Sequence, residues 1–165
     1  MRGLFGFELQ QRFIGVDGQP EPWSVWEHNE LTNEGERLAL RLLTRNEPTL
    51  NSFCLRLTGD IPVETDSLAS LDTSLEPGGL AGYSHVVLNR NTTDWPTLGE
   101  EGGDATVTSK IVTFTATNTW PTARKAILAT SSDSSGLLVD STTLPQPRAL
   151  ASGEQLQFRV RPKLA

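Results

Sequence analysis

Apolar and polar side chains alternate along several segments of this chain, and that period of two predicts β-strands. The clearest case is 51–58, where Phe53, Leu55 and Leu57 share one face. The other segments with strand character are, in order, 4–16, 83–90, 106–116, 124–130, 136–140 and 155–162. Clusters of turn-forming residues separate them. Short strands at this spacing favour a sandwich of antiparallel sheets, or a jelly-roll-like variant of it.

One helix interrupts the strands. Asn33 is suited to cap its first turn, with Glu36 three residues later, and Pro48 is expected to end it. Leucines at helical spacing form an apolar stripe, whereas the opposite side carries a basic ridge of Arg37, Arg41 and Arg45. The sequence therefore predicts a mainly β protein with a single amphipathic helix at about 33–46. The ridge is interpreted as a solvated face or, alternatively, as a docking surface for an acidic partner.

The first 27 residues are rich in aromatic side chains and proline. Pro20 and Pro22 prevent regular ladder bonding, and the nearby tryptophans supply large apolar areas that need a surface to cover. The segment either covers the protein's own core or docks on a neighbouring subunit through Phe5, Phe7, Trp23 and Trp26. We therefore expect an extended docking arm at 1–27 and a single β-sandwich domain at 28–165.

The last predicted strand has a basic outer face although the chain is acidic. Leu156, Phe158 and Val160 are expected to point inward, whereas Arg159 and Arg161 point outward. A basic face of this kind suits contact with another subunit. The alternative is an edge strand that positive charge protects from unwanted pairing.

Charge and composition exclude some classes of function. The 165 residues include 14 Lys and Arg against 20 Asp and Glu, which gives a net charge of -6. This balance argues against a protein that grips nucleic-acid phosphates. Neither an apolar run long enough for a membrane span nor a signal peptide is visible, so we expect a soluble product made in the cytoplasm. Cys54 is the single cysteine, which excludes internal disulfides and multi-cysteine metal motifs.

The residues that usually carry chemistry do not form a recognisable set. His28 has no second histidine at ligand spacing, and Ser84 beside His85 lacks the flanking glycines of a nucleophile elbow. We therefore expect no catalytic, metal-binding or cofactor-binding residue. Trp95 and Trp120 each precede a proline, and they are interpreted as surface contacts to a glycan or as buried anchors of turns.

Several short motifs stand between positions 31 and 161. They are Leu31-Thr32-Asn33-Glu34-Gly35, the strand that ends in Leu57-Thr58-Gly59-Asp60, Gly82-Tyr83-Ser84, the strand 112–117 with Trp120 after it, and the run 127–136. Together they resemble a module of tailed-bacteriophage proteins that occurs in attachment regions of tail fibres and in short virion proteins. The pattern consists of small and apolar residues, and it departs from that module at residues 1–27 and near 100–103.

This resemblance implies a non-enzymatic structural component of a virion, working by symmetric assembly at the tail or baseplate as a fibre or attachment protein. One alternative is a cement protein that decorates the capsid by binding the major capsid protein. Another is a carbohydrate-binding module for host adhesion. The expected partners are other copies of the chain, with a trimer as the prior, and other virion proteins, but neither nucleic acid nor membrane.

Overall fold

The computed structural model describes residues 5–45, 50–77, 82–101 and 104–164. Its strands are β1 Phe5–Ile14, β2 Glu27–Glu30, β3 Ser52–Thr58, β4 Val86–Asn89, β5 Thr97–Glu101, β6 Asp104–Thr108, β7 Val112–Thr115, β8 Trp120–Ala129, β9 Leu138–Leu150 and β10 Gln155–Leu164. Helix α1 spans Asn33–Arg45, and two short 3-10 turns span Leu68–Ser70 and Thr73–Leu75. The predicted class, mainly antiparallel β with one helix, is confirmed. Pro48, which was expected to end the helix, lies outside the described residues.

Two antiparallel sheets form the body of the protein. The larger has the order β2-β1-β10-β6-β5, with β7 also paired to β10, and the smaller has the order β4-β3-β8-β9. Strand β1 pairs with β10 along its whole length, from Phe5 opposite Leu164 to Ile14 opposite Gln155. Alternate side chains of both sheets meet in one apolar core that includes Phe7, Leu9, Leu55, Leu57, Leu128, Leu156, Phe158 and Val160.

Several strands differ from the sequence prediction. Strand β5 lies between the predicted strands 83–90 and 106–116, where no strand was expected, and forms a hairpin with β6; the predicted strand 106–116 divides into β6 and β7. The break comes at Ser109, whose backbone N–H and hydroxyl bond the backbone of Val160. Strand β9 continues through Pro145 and Pro147, because it lies at the edge of its sheet, where a missing N–H is tolerated.

Strand β3 is buried on both faces, whereas its alternation predicted a half-buried strand. Arg56 and Thr58, expected toward solvent, are 2% and 1% exposed. The connection 59–77 covers this outer face of the smaller sheet, where Leu68 and Leu71 pack against apolar residues of the sheet: Ile127, Ala129 and Leu138. A period of two identifies a strand but cannot show whether its polar face is covered by other parts of the chain.

Residues 5–14 were expected to belong to a docking arm. They are extended, as expected, but they lie inside the larger sheet, with β2 on one side and β10 on the other. The described residues therefore show no boundary at residue 27 between an arm and a sandwich. Docking of this segment on another subunit stays a prediction.

Helix α1 is capped by Thr32, one residue earlier than the sequence predicted. The Thr32 hydroxyl accepts a hydrogen bond from the Gly35 backbone N–H at 3.1 Å and donates to the carbonyl oxygen of Leu138. The Thr32 backbone N–H donates to the carbonyl of Val139 at 3.1 Å. A single threonine therefore satisfies an unpaired N–H of the first helical turn and attaches that turn to β9.

Two further residues of the same motif hold the helix on β9. One carboxylate oxygen of Glu34 accepts backbone N–H groups of Leu138, at 2.6 Å, and Leu68, at 3.3 Å. Gly35 lies so close to β9 that an added Cβ would stand 2.2 Å from the carbonyl oxygen of Val139. The motif 31–35 therefore joins the helix to the smaller sheet.

Replacing Gly35 by alanine is expected to lower the free energy of unfolding by about 1–3 kcal/mol, because a methyl group has no room beside the Val139 carbonyl. Urea denaturation followed by circular dichroism measures the loss. Gly99→Ala is the matched control, since a Cβ at Gly99 would contact only Thr106 Oγ1, at 3.5 Å. Equal stability of the two variants would contradict the close approach at Gly35.

Candidate functional site

The outer face of the larger sheet carries a layer of arginine and tryptophan side chains. Segment 19–26 runs beside β1, where the backbone N–H groups of Glu21 and Ser24 donate to the carbonyls of Phe13 and Gln11, both at 2.8 Å. Its prolines interrupt regular pairing, so the segment bends and lays its indoles over outward-facing arginines of β1 and β10.

Each tryptophan of this segment contacts at least one guanidinium group. The guanidinium carbons of Arg12 and Arg159 each lie 4.5 Å from the ring centre of Trp23, and that of Arg161 lies 3.9 Å from Trp26. These distances are those of cation–π contacts, each worth about 0.5–1 kcal/mol where water has access. The five residues are called the Arg–Trp layer below.

Four of the seven predicted docking residues are at least partly accessible. Trp23 and Trp26 are half-buried on the protein's own sheet, so the interpretation that they cover their own chain agrees with the structure. Arg159 is half-buried in the Arg–Trp layer, and Arg41 is exposed on α1. A contact of these four with another subunit stays a prediction.

The structure corrects two others. Phe7 is 3% exposed in the core between the sheets, so it is not available to a neighbour. Arg161 is 7% exposed, and its Nε lies 2.5 Å from Glu8 Oε2 on the adjacent strand β1. The pair forms because β10 lies beside β1 inside the larger sheet and not at its edge, and the Trp26 indole lies over the Arg161 guanidinium. Phe5 belongs to β1, and its side chain lies outside the described residues.

The two tryptophans expected at a glycan-binding surface occupy different environments. Trp120 is 1% exposed in the core, edge-on to Tyr83 with ring centres 5.4 Å apart, so the prediction of a surface contact is wrong for Trp120. Trp95 is half-buried beside Phe53 and lines a mostly apolar cleft of about 470 Å³. Its indole N–H is buried without a hydrogen-bond partner among the described residues.

A cluster of charged and polar side chains, separate from the Arg–Trp layer, lies on the outer face of the smaller sheet. Arg56 Nη2 donates to one carboxylate oxygen of Glu76, and His85 Nε2 lies 2.7 Å from the other. His85 Nδ1 lies 2.9 Å from the carbonyl oxygen of Ser132. Because both ring nitrogens of His85 already face oxygen atoms, neither is placed to activate a nucleophile. Sequence reasoning missed this cluster, since Arg56, Glu76 and His85 are brought together only by the fold.

This cluster attaches the connection 59–77 to the sheet. Burial raises the pKa of Glu76, but hydrogen bonds from His85 and Arg56 outweigh burial and hold that pKa below its ordinary value. Next to it, the Tyr83 hydroxyl accepts from the Leu57 N–H at 3.0 Å and donates to the Leu57 carbonyl at 3.2 Å. Strand β4 pairs with β3 only as far as Leu55, opposite Val86. The Tyr83 hydroxyl therefore supplies the hydrogen-bond partner that the Leu57 backbone lacks on that side.

The remaining candidates for chemistry are not clustered. Cys54 is 2% exposed, and burial raises its pKa to about 11, so its thiol stays protonated near neutral pH. Within ranges 5–45, 50–77, 82–101 and 104–164, no three His, Cys, Asp or Glu side chains are grouped to hold a metal ion. In the same ranges, no helix has the length and apolar character needed to cross a membrane.

Glu76→Gln is expected to lower the free energy of unfolding at pH 7 by about 3–5 kcal/mol, because it leaves the buried Arg56 charge without its counter-ion. Since the pKa of Glu76 is depressed in the folded state, the stability that its carboxylate contributes is fully present above the carboxyl pKa of the unfolded chain. It is lost as pH falls through the folded-state value.

Denaturant titrations at a series of pH values test this sign. The difference between wild type and Glu76→Gln should shrink toward acid pH. Glu36→Gln, an exposed change in the first turn of α1, serves as the control and should stay close to wild type at neutral pH. A difference for Glu76→Gln that does not change with pH would contradict the assignment.

Comparison with known proteins adds no family to this description. No family model matches the chain, and no curated protein matches it significantly.

Proposed function

We propose that this chain is a non-enzymatic structural component of a tailed-bacteriophage particle, assembling at the tail or baseplate as a fibre or attachment protein. The observation that carries the proposal is the Arg–Trp layer, an ordered and partly accessible group of arginine and tryptophan side chains on the outer face of the larger sheet. Tryptophan and arginine are the side chains most enriched among residues that dominate binding energy at protein interfaces.

The residues behind the sequence resemblance support the same proposal. Thr32, Glu34 and Gly35 attach α1 to β9 through hydrogen bonds and close backbone approach. Attachment of a helix to a strand involves no substrate. A motif that maintains a fold can be shared by proteins that catalyse no reaction, as we expect of structural virion proteins.

The polar cluster of Arg56, Glu76 and His85 also fits a structural role. Its groups bond one another and the backbone, and they join a connecting segment to the sheet beneath it. The chemistry of the cluster is therefore used for attachment within the chain.

Substitution of the two tryptophans tests the proposal better than deletion of residues 1–27. Deletion would remove β1, which pairs along ten residues with β10, and the core would lose its support. The double variant Trp23→Ser and Trp26→Ser leaves the strands in place. Val25→Ser is the matched control, because Val25 lies between the two tryptophans and is 74% exposed.

We expect the wild-type chain to be present in purified particles of the phage that encodes it, measured by quantitative mass spectrometry. The double variant should be incorporated at about a tenth of the wild-type level or less, since two large side chains lose their contact area. Val25→Ser should be incorporated normally. Absence of the wild-type chain from particles would refute the proposal.

The copy number in the same measurement separates the two placements. A few copies per particle support the tail or baseplate. A number comparable with that of the major capsid protein would instead support the alternative of a capsid-decorating cement protein.

A further inference from the structure

A basic group of side chains lies on the outer face of one sheet, and an acidic connection covers the outer face of the other. The core lies between the sheets, so the outer face of the larger sheet and the outer face of the smaller sheet both point away from it. The Arg–Trp layer covers the first. The connection 59–77, called the acidic loop below, covers the second.

The Arg–Trp layer is basic and partly apolar. Its arginines come from β1 and β10, and the outward positions of β10 between Gln155 and Arg161 include no acidic residue. Glu8 pairs with Arg161, and Glu21, which lines a cleft with Arg12 and Trp23, pairs with Arg148. Arg12 and Arg159 therefore supply positive charge beside Trp23.

The acidic loop is its chemical complement. Residues 59–77 contain five carboxylates and no lysine, arginine or histidine. Glu76 is buried in its bond to Arg56, whereas the other four are partly or fully exposed: Asp60, Glu64, Asp66 and Asp72. Among them stand exposed apolar side chains, with Ile61 at 59% and Val63 at 58% exposure. This surface thus offers negative charge and apolar area together.

We propose that copies of this chain associate head to tail, with the Arg–Trp layer of one copy docked on the acidic loop of the next. The inference rests on the proposed structural role and names the partner that the layer binds, a second copy of the chain. Contact between two identical faces would place like charges together, which costs binding energy, whereas contact between unlike faces brings opposite charges and apolar side chains together.

The arrangement of the faces also determines how such contacts propagate. Each copy in a head-to-tail contact keeps one unused surface of each kind, so further copies can add. The angle between the two surfaces of one copy decides whether the copies close into a ring, such as the trimer expected from the sequence, or continue as an open stack.

Sedimentation velocity of the purified chain over a range of protein and salt concentrations tests the proposal. Wild type should form oligomers at low salt and dissociate as salt rises, because the attraction is between partly exposed charges. Arg159→Glu on the basic face and Glu64→Lys on the acidic loop should each weaken association at least about tenfold. Arg45→Glu, an equal charge change at the exposed end of α1, should associate like wild type.

Mixing the two variants gives the decisive measurement. Arg159→Glu keeps an intact acidic loop and Glu64→Lys keeps an intact Arg–Trp layer, so an equimolar mixture should recover association, at least to a dimer. An interface between identical faces predicts instead that only one of the two variants loses association, because only one of the two faces is in contact. Arg12→Glu and Thr65→Lys provide a second pair on the same two faces, for use if circular dichroism shows that a member of the first pair does not fold.

Three results would overturn the head-to-tail contact. They are a wild-type chain that stays monomeric at low salt, association that neither pair of variants weakens, and a mixture that forms no dimer. None of them depends on whether the chain is present in phage particles. A chain that is incorporated into particles but stays monomeric in solution would refute this inference and leave the proposed function standing. A chain that associates head to tail in solution but is absent from particles would refute the proposed function and leave the contact standing.

Discussion

Helix α1 begins where its first turn is bound to β9, and much of the structure depends on that attachment. The Thr32 hydroxyl and backbone hold the turn against Leu138 and Val139, and Gly35 allows the two backbones to approach. Glu34 extends the attachment, because one of its oxygens accepts N–H groups from both β9 and the connection beyond β3. The helix, the smaller sheet and its outer covering are thereby joined at one carboxylate.

Both sheets of the sandwich are covered on their outer faces, but by different means. The smaller sheet is covered by a connection that places leucines on it and holds a buried ion pair, Arg56 with Glu76. The larger sheet is covered by a proline-interrupted segment whose indoles lie on arginines. The first covering leaves carboxylates toward solvent, and the second leaves arginine and indole side chains partly exposed.

The histidine and cysteine of the smaller sheet illustrate how the same packing limits chemistry. His85 is held between the Glu76 carboxylate and a backbone carbonyl, and Cys54 is buried with its thiol protonated. His85 thereby helps to attach the connection 59–77 to the sheet, and burial keeps the Cys54 thiol unreactive. The accessible surfaces carry charge and apolar area.

The amino-acid sequence by itself determined the local structure. The alternation of Phe53, Leu55 and Leu57 predicted β3, and the helical spacing of leucines after Asn33 predicted α1 nearly to its last residue. It could not show that Arg56 is covered, that Phe7 and Trp120 lie in the core, or that Arg161 pairs with Glu8 across two strands. Periodicity depends on neighbours a few positions away, which the chain order contains. Burial and pairing depend on residues far apart in the chain, 20 positions for Arg56 and Glu76 and 153 for Glu8 and Arg161, and only the tertiary packing brings those together.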